Sequence, residues 1–200
     1  MLRNLMAILR GVKPHEIVTL GEQLLQAGIH QIEVPLNSPN ALESIAKLHT
    51  SLGDYAFIEA GTVLNVSEAK SVYVHGGQFI VSPNCNSDVI KATKDMGMMS
   101  YPGVFTPTEC FSALESGADL LKLFPAFLLG LNGFKAIQAV LPDNVECYAV
   151  GGIGSVDFSD WRKAGIAGFG LASNLYKPGD HPEQLASKAA LLVKAWGDTL

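Results

Sequence analysis

Cysteine is scarce in this sequence, and its spacing excludes the sites that depend on it. Cys85, Cys110 and Cys147 are an odd number and lack the short paired spacing of a zinc site. They also cannot form the disulfide framework that is typical of small secreted domains. The five histidines contain no pair with metal-ligand spacing. We therefore expect a reduced, cytoplasmic protein without a metal site.

Long apolar runs and excess positive charge are absent as well. No run reaches the roughly 18 apolar residues of a membrane-spanning helix, so we expect no contact with membranes. The apolar run within Met1–Arg10 is too short for a signal peptide and no cleavage site follows it, so we expect none. The formal net charge of −5 gives no basic surface for nucleic acid. A small anionic substrate is still allowed, because backbone N–H groups bind phosphate on acidic proteins.

What the sequence does have is an alternation of short apolar segments and longer amphipathic ones. The apolar segments predict eight strands: Leu5–Leu9, Gln31–Val34, Ala56–Ala60, Phe79–Val81, Met98–Tyr101, Leu120–Phe124, Glu146–Val150 and Ile166–Leu171. We expect a looser apolar connection over Ala126–Leu131, and Thr106 with Glu109 has the spacing of a capping box. This order predicts an α/β fold, a (β/α)8 TIM barrel in a single domain over residues 1–200. A doubly wound open sheet is the alternative.

Lys122 interrupts the sixth apolar segment. A buried ammonium group is costly, so such a lysine tends to lose its proton, and a neutral amine attacks carbonyl groups. In the second segment, Glu33 stands between Ile32 and Val34. Strand alternation turns both Glu33 and Lys122 away from the helices and into the barrel. Alternate strands share a layer of the interior, so these two side chains are expected to face each other.

This pair predicts an amine nucleophile with a carboxylate that moves protons. Two structural alternatives stay open, a Lys122 that reaches solvent at the strand end and a buried ion pair. A buried ion pair stabilises a protein poorly, which favours the catalytic interpretation. Further polar residues stand at strand ends, where the active site of this fold lies: Arg10, Thr62, Asn84 and Ser173.

A glycine-rich stretch, Gly151-Gly152-Ile153-Gly154, follows the seventh strand, and Ser173-Asn174 follows the eighth. In barrels of this kind, the loops after strands seven and eight hold phosphate through backbone N–H groups. Two adjacent glycines are also typical of a simple tight turn. Their position after strand seven favours a phosphate site that includes Gly151, Gly152 and Ser173.

Several motifs together resemble the KDPG/KHG aldolase family of class I aldolases over essentially the whole chain. They are Ile8–Gly11, Glu33–Pro39, Ala60–Leu64, Ser82–Asn84, Lys122–Ala126 and Ala149–Gly152. Within this family, Arg10, Asn37 and Val150 resemble the branch that acts on the galactonate substrate. The gluconate enzymes have an arginine in place of Asn37 and a threonine in place of Val150.

The resemblance implies cleavage of 2-dehydro-3-deoxy-6-phospho-D-galactonate to pyruvate and D-glyceraldehyde 3-phosphate by a homotrimer, without a metal or organic cofactor. It implies that Lys122 forms an iminium ion at the C2 ketone and that Glu33 shuttles protons. Arg10 would hold the substrate carboxylate, and Thr62 would hydrogen-bond the pyruvyl part. The other residues implied to bind the substrate are Asn37, Asn84 and Val150, with Gly151, Gly152 and Ser173 at its phosphate.

The sequence also departs from the family pattern. Glu59 stands where a glycine is usual, and its side chain faces the barrel interior only if Ala60 faces outward. Phe127 and Leu128 make the loop after the lysine unusually apolar, and Ala172 replaces a glycine. Other functions therefore stay open: the C4 epimer or 4-hydroxy-2-oxoglutarate as main substrate, an isomerase or epimerase without a Schiff base, and a sugar-phosphate-binding protein without catalysis.

Overall fold

The computed structural model describes residues 4–199, and its strands form one parallel sheet. Residues 1–3, which belong to the segment tested for a signal peptide, and residue 200 lie outside the described part. The strands are β1 (Leu5–Ile8), β2 (Gln31–Pro35), β3 (Phe57–Gly61), β4 (Phe79–Val81), β5 (Met99–Tyr101), β6 (Gly103–Val104), β7 (Leu121–Leu123), β8 (Cys147–Val150) and β9 (Gly168–Leu171). Their order in the sheet is β5-β4-β3-β2-β1-β9-β8-β7-β6.

The two ends of this sheet meet at Pro102. Only this residue separates β5 from β6, so the two short strands are halves of one interrupted strand. Proline has no N–H group to donate to a neighbouring strand, which accounts for the interruption. The sheet is therefore a nearly closed barrel with eight strand positions. The predicted TIM barrel is confirmed, and the open doubly wound sheet is wrong.

A helix follows each strand position and covers the outside of the barrel. The helices are α1 (Ile17–Ala27), α2 (Ala41–Leu52), α3 (Val66–Val74), α4 (Ser87–Asp95), α5 (Pro107–Glu115), α6 (Ala126–Gln138), α7 (Phe158–Lys163) and α8 (Pro182–Gly197). Within residues 4–199, none of them has the length and apolar character needed to cross a membrane.

Side chains alternate between two layers of the barrel. Outward-facing residues such as Ile32, Ile58 and Phe169 pack with the helices in the large core. Inward-facing residues form a second, smaller cluster: Met6, Ile8, Phe79, Val81, Tyr101, Leu120, Tyr148 and Val150. This alternation decides which polar residues of the strands point into the interior.

The segment after β7 differs from its sequence prediction. Instead of a looser connection over Ala126–Leu131, α6 begins directly at Ala126. Gly130 interrupts the helix with φ 67° and ψ 169°, a backbone conformation that glycine adopts without a steric penalty. The carboxyl end of β7 is therefore followed within three residues by helix.

Candidate active site

Lys122 lies inside the barrel, as the alternation of its strand predicts. Its neighbours Leu121 and Leu123 pack in the outer layer, between the strands and the helices. The Lys122 side chain points the other way, and only 5% of the residue is exposed. Its Nζ lies 5.3 Å from the centroid of the Phe124 ring. The amine therefore belongs to the interior and not to the surface.

Glu33 enters the same interior from β2. Ile32 and Val34 pack in the outer layer, and Glu33 is fully buried between them. Within residues 4–199, neither carboxyl oxygen of Glu33 has a hydrogen-bond partner. Burial raises the pKa of Glu33, and the positive charges of Lys122 and Arg10 oppose that rise. The structure therefore brings together the acid and the amine that the sequence pairs.

Gly61 provides the space in which the Glu33 carboxyl group lies. A Cβ atom built on Gly61 would be 2.5 Å from Cδ of Glu33 and 2.8 Å from its Cγ. No side chain fits at that position while Glu33 keeps its place. The sequence motif Ala60–Leu64 contains this glycine, but only the structure shows what it accommodates.

The loops after β1 and β2 meet beside this pair. Arg10 Nη1 donates a hydrogen bond of 2.6 Å to Asn37 Oδ1, and the Gly11 N–H donates one of 2.9 Å to Ser38 Oγ. Arg10 is exposed and has five N–H donors, so it keeps others for an anion. The sequence does not predict this role of Ser38, because a single hydroxyl group that anchors a loop belongs to no recognisable motif.

The loops after β3 and β4 carry Thr62 and Asn84. Thr62 has a φ of 59°, in the left-handed region that β-branched residues rarely adopt. Residues held in such conformations cluster at functional sites. Asn84 is exposed, and the backbone of Pro83 and Asn84 leaves no room for a Cβ at Gly103. Both polar residues therefore lie at the carboxyl ends of strands, where the sequence places them.

A pocket of about 370 Å³ lies between the loops that follow β8 and β9. Gly151, Gly152 and Ser173, the residues expected to bind phosphate, all line it. The φ angles of Gly151 and Gly152 are 93° and 73°, which only glycine adopts readily. The pocket therefore has the position and the backbone that the glycine-rich motif predicts.

Two polar side chains that sequence reasoning gave no role shape this pocket. Asn174 Nδ2 donates a hydrogen bond of 2.8 Å to the Ile153 carbonyl, which joins the two loops. The Gly154 N–H donates one of 2.9 Å to Asp157 Oδ2 within the glycine loop. The only available signal was the position of Asn174 next to Ser173. No motif identifies Asp157, because a residue that fixes its own loop needs no particular spacing.

Val150 lies next to this pocket, and so do Phe127 and Ala172, two of the apolar residues that depart from the family pattern. Val150 is buried in the inner cluster, and a Cβ on Gly170 would lie 2.7 Å from its Cγ2. Since Gly170 lines the pocket between the β8 and β9 loops, Val150 stands at the boundary between that pocket and the barrel interior. Ala172 lines the pocket as well, and exposed Phe127 packs against Gly152.

Glu59 points into the barrel, which settles the question that the sequence left open. Its neighbours Ile58 and Ala60 both pack in the outer layer, and Glu59 is fully buried. The register of β2 and β3 places it directly beside Glu33. In the described part of the chain, the interior therefore contains two carboxyl groups and one amine.

The chain matches known proteins over nearly its full length. A sequence profile of the KDPG and KHG aldolases matches residues 2–177. The 2-dehydro-3-deoxy-6-phosphogalactonate aldolase of Escherichia coli (strain K12) is 42% identical over 196 residues, which cover 98% of this chain and 96% of that protein. A probable 2-dehydro-3-deoxy-6-phosphogalactonate aldolase of Rhizobium meliloti (strain 1021) is 43% identical over 194 residues, which cover 97% and 92%.

Two solved structures share the fold of this chain. A native KDPGal structure superposes with a TM-score of 0.96 at 42% identity, over 98% of this chain and 95% of that chain. A cube-shaped, highly porous protein cage, designed by fusing symmetric oligomeric domains, matches with a TM-score of 0.97 at 41% identity. That match covers 100% of this chain and 74% of the cage subunit.

Proposed function

Because this chain belongs to the KDPG and KHG aldolase family, we propose that it cleaves 2-dehydro-3-deoxy-6-phospho-D-galactonate through a Schiff base on Lys122. The products are pyruvate and D-glyceraldehyde 3-phosphate. The chain is an aldolase, a carbon–carbon lyase. The observation that carries the choice of substrate is the identity of 42% and 43%, over nearly the full length, to two phosphogalactonate aldolases.

The chemistry begins at the buried amine. Neutral Lys122 adds to the C2 ketone, and loss of water from the resulting carbinolamine gives an iminium ion. Glu33 accepts the proton of the C4 hydroxyl group while the C3–C4 bond breaks, and the bonding electrons move into the iminium to give an enamine. The aldehyde leaves, Glu33 returns the proton to C3, and hydrolysis releases pyruvate and the free amine.

The surrounding loops hold the two charged ends of the substrate. The Arg10 guanidinium, fixed by Asn37 at one of its nitrogens, pairs with the substrate carboxylate. Thr62 and Asn84 offer hydrogen bonds at the rim, next to the pyruvyl part. The phosphate occupies the pocket lined by Gly151, Gly152 and Ser173 and accepts hydrogen bonds from their backbone N–H groups.

Trapping with pyruvate and borohydride tests the Schiff base. We expect one reduced pyruvyl group on Lys122, found by intact mass and peptide mapping, and a loss of kcat on the order of 10³-fold or more in Lys122→Ala. Exposed Lys70 is the matched control, and Lys70→Ala is expected to keep both the adduct and the activity. Phosphosugar turnover without any adduct would show isomerase or epimerase chemistry instead, and tight binding without product would show a binding protein.

The C4 stereochemistry is tested with the two epimers side by side. Asn37 and Val150 favour the galactonate substrate, so we expect its kcat/KM to exceed that of the gluconate epimer and of 4-hydroxy-2-oxoglutarate. A preference for the gluconate epimer would overturn the choice of substrate and leave the aldolase chemistry intact.

We also propose that the enzyme is a cytoplasmic homotrimer. Large apolar side chains are exposed on Phe105, Phe111, Phe127 and Leu128, and subunit contacts commonly bury surfaces of this kind. The similar cage subunit comes from a design that fuses symmetric oligomeric domains. Sedimentation equilibrium is expected to give three times the chain mass of 21.3 kDa, and a monomer would contradict the proposal.

A further inference from the structure

The second buried acid, Glu59, has no role in the reaction described so far. Its strand β3 pairs with β2 so that Glu33 and Glu59 are direct neighbours. Adjacent strands lie about 4.8 Å apart, so the two side chains enter the interior side by side. Both residues are fully buried, and within residues 4–199 none of their four carboxyl oxygens has a hydrogen-bond partner. A proton on one carboxyl group would supply the missing donor.

The other groups that face Glu59 limit where this proton can be. Among the residues that the structure describes, Lys122 of β7 provides the positive charge that acts on Glu59, and Glu33 provides the negative charge beside it. Tyr101 of β5 and Tyr148 of β8 also face Glu59, and burial raises the pKa of both phenols above the usual range, so they stay neutral. The remaining neighbour, Phe79 of β4, is apolar.

The charge balance of this cluster favours one protonated acid. Two carboxylates beside the one amine of Lys122 leave at least one uncompensated negative charge in the buried interior, whichever protonation state that amine has, and this is costly. Burial raises the pKa of Glu59 well above its ordinary value of 4.5, the negative charge of Glu33 raises it further, and Lys122 opposes both. Glu33 is also close to the positive charge of Arg10, so Glu33 is the acid that ionises first.

We propose that Glu59 is a positioning residue that stays protonated at neutral pH and donates a hydrogen bond to Glu33, so that the negative charge of the pair resides on the catalytic base. This inference rests on the proposed function for the role of Glu33. Glu59 itself exchanges no proton in the cycle. With Glu59 neutral, the charge of the pair changes only with the proton on Glu33: the Glu33 carboxylate faces the iminium ion, and the neutral Glu33 acid faces the enamine.

Glutamine is neutral and still donates a hydrogen bond, so Glu59→Gln tests whether Glu59 acts as a neutral donor or as a charged residue. We expect Glu59→Gln to keep kcat at neutral pH within about threefold of wild type, because an amide replaces one neutral donor by another. Glu59→Leu has no donor and is expected to lose about tenfold or more. At alkaline pH, wild type loses activity as Glu59 ionises beside Glu33, and Glu59→Gln does not show that loss.

Infrared spectroscopy detects the proton directly. Wild type at neutral pH is expected to show a C=O stretch of a protonated carboxylic acid that is absent in Glu59→Gln. Glu22→Gln, on the exposed side of α1, is the matched control and is expected to keep the band. Absence of the band from wild type, or a loss of activity in Glu59→Gln as large as in Glu59→Leu, would overturn the proposal.

The same preparations separate this proposal from the proposed function. If wild type fails to trap pyruvate on Lys122, the aldolase mechanism is wrong whatever the infrared band shows. If wild type and Glu59→Gln both trap pyruvate and no band distinguishes them, the mechanism stands and only the role of Glu59 is refuted. Because Glu59→Gln keeps the size of the side chain, the infrared measurement still decides the proposal if Glu59→Leu does not fold.

Discussion

Gly61 leaves room for the Glu33 carboxyl group because it has no side chain. A Cβ in Gly61→Ala would lie 2.5 Å from Cδ of Glu33, so the carboxyl group has to move. A displacement of about 1 Å at a reacting group costs up to about 10²-fold in rate. We therefore expect kcat to fall by about tenfold or more, with the pyruvate adduct on Lys122 still formed. Steady-state kinetics and borohydride trapping of the same variant measure the two effects.

Gly197 offers the matched control for this substitution. It lies in α8, and within residues 4–199 no atom other than those of its chain neighbours and the adjacent helix backbone is within 4 Å of the position that its Cβ would occupy. Gly197→Ala is expected to leave kcat unchanged. If Gly61→Ala had the activity of wild type, Glu33 would not need its present position, and its assignment as the base would fail.

At the scale of single residues, the sequence predicts orientation only where the flanking residues decide it. Glu33 and Lys122 stand between large aliphatic residues that must pack against helices, so their inward direction follows from alternation. Glu59 has small Ala60 beside it, which fits either layer, and only the closed barrel shows where Glu59 points. Asp157 could not be predicted, because its hydrogen bond depends on the path of one loop.

At the scale of elements, the first turn of α5 depends on a reciprocal capping box. The Glu109 N–H donates a hydrogen bond of 3.3 Å to Thr106 Oγ1, and the Thr106 N–H donates one of 2.8 Å to Glu109 Oε2. The capping box predicted from the sequence is thereby confirmed. Removing an N-cap acceptor costs about 1 kcal/mol, so Thr106→Ala is expected to lower Tm by about 2–4 °C in calorimetry.

Thr108, exposed in the same turn, provides the comparison for this prediction. Thr108→Ala removes the same atoms without removing the cap, and we expect its Tm to stay close to that of wild type. Equal losses of Tm in the two variants would mean that the hydroxyl group of Thr106 does not stabilise α5.

The order of the elements could be predicted because each apolar segment is short and bounded by turn residues. Two details could not be predicted in this way. Pro102 divides one predicted strand position into β5 and β6, an effect of a missing N–H group that hydrophobicity does not show. The start of α6 was missed because Ala126–Leu131 is apolar on every side and has no polar face to mark an amphipathic helix.

At the scale of the whole molecule, closure of the sheet makes each strand depend on two neighbours. Both ends of the sheet belong to the segment around Pro102, so the barrel surrounds one interior. We predict from this arrangement that the chain unfolds as one domain, with a single cooperative transition. Coincident unfolding curves from circular dichroism and tryptophan fluorescence would test it, and two separate transitions would contradict it.

The acids inside the barrel also make the stability of the whole chain depend on pH. Both Glu33 and Glu59 have a raised pKa in the folded chain, whereas the unfolded chain releases these protons near the ordinary value of 4.5. Above that pH the folded state binds more protons than the unfolded state, so the free energy of unfolding falls as pH rises towards the folded pKa.

Glu59→Gln removes one of these protons and is expected to be more stable than wild type at neutral pH. Each 1 kcal/mol gained raises Tm by about 2–4 °C. Denaturant unfolding of wild type, Glu59→Gln and Glu22→Gln at several pH values above 4.5 measures the effect. If the curve of Glu59→Gln ran parallel to that of wild type across this range, Glu59 would have the same proton affinity in both states, and its burial beside Glu33 would carry no electrostatic cost.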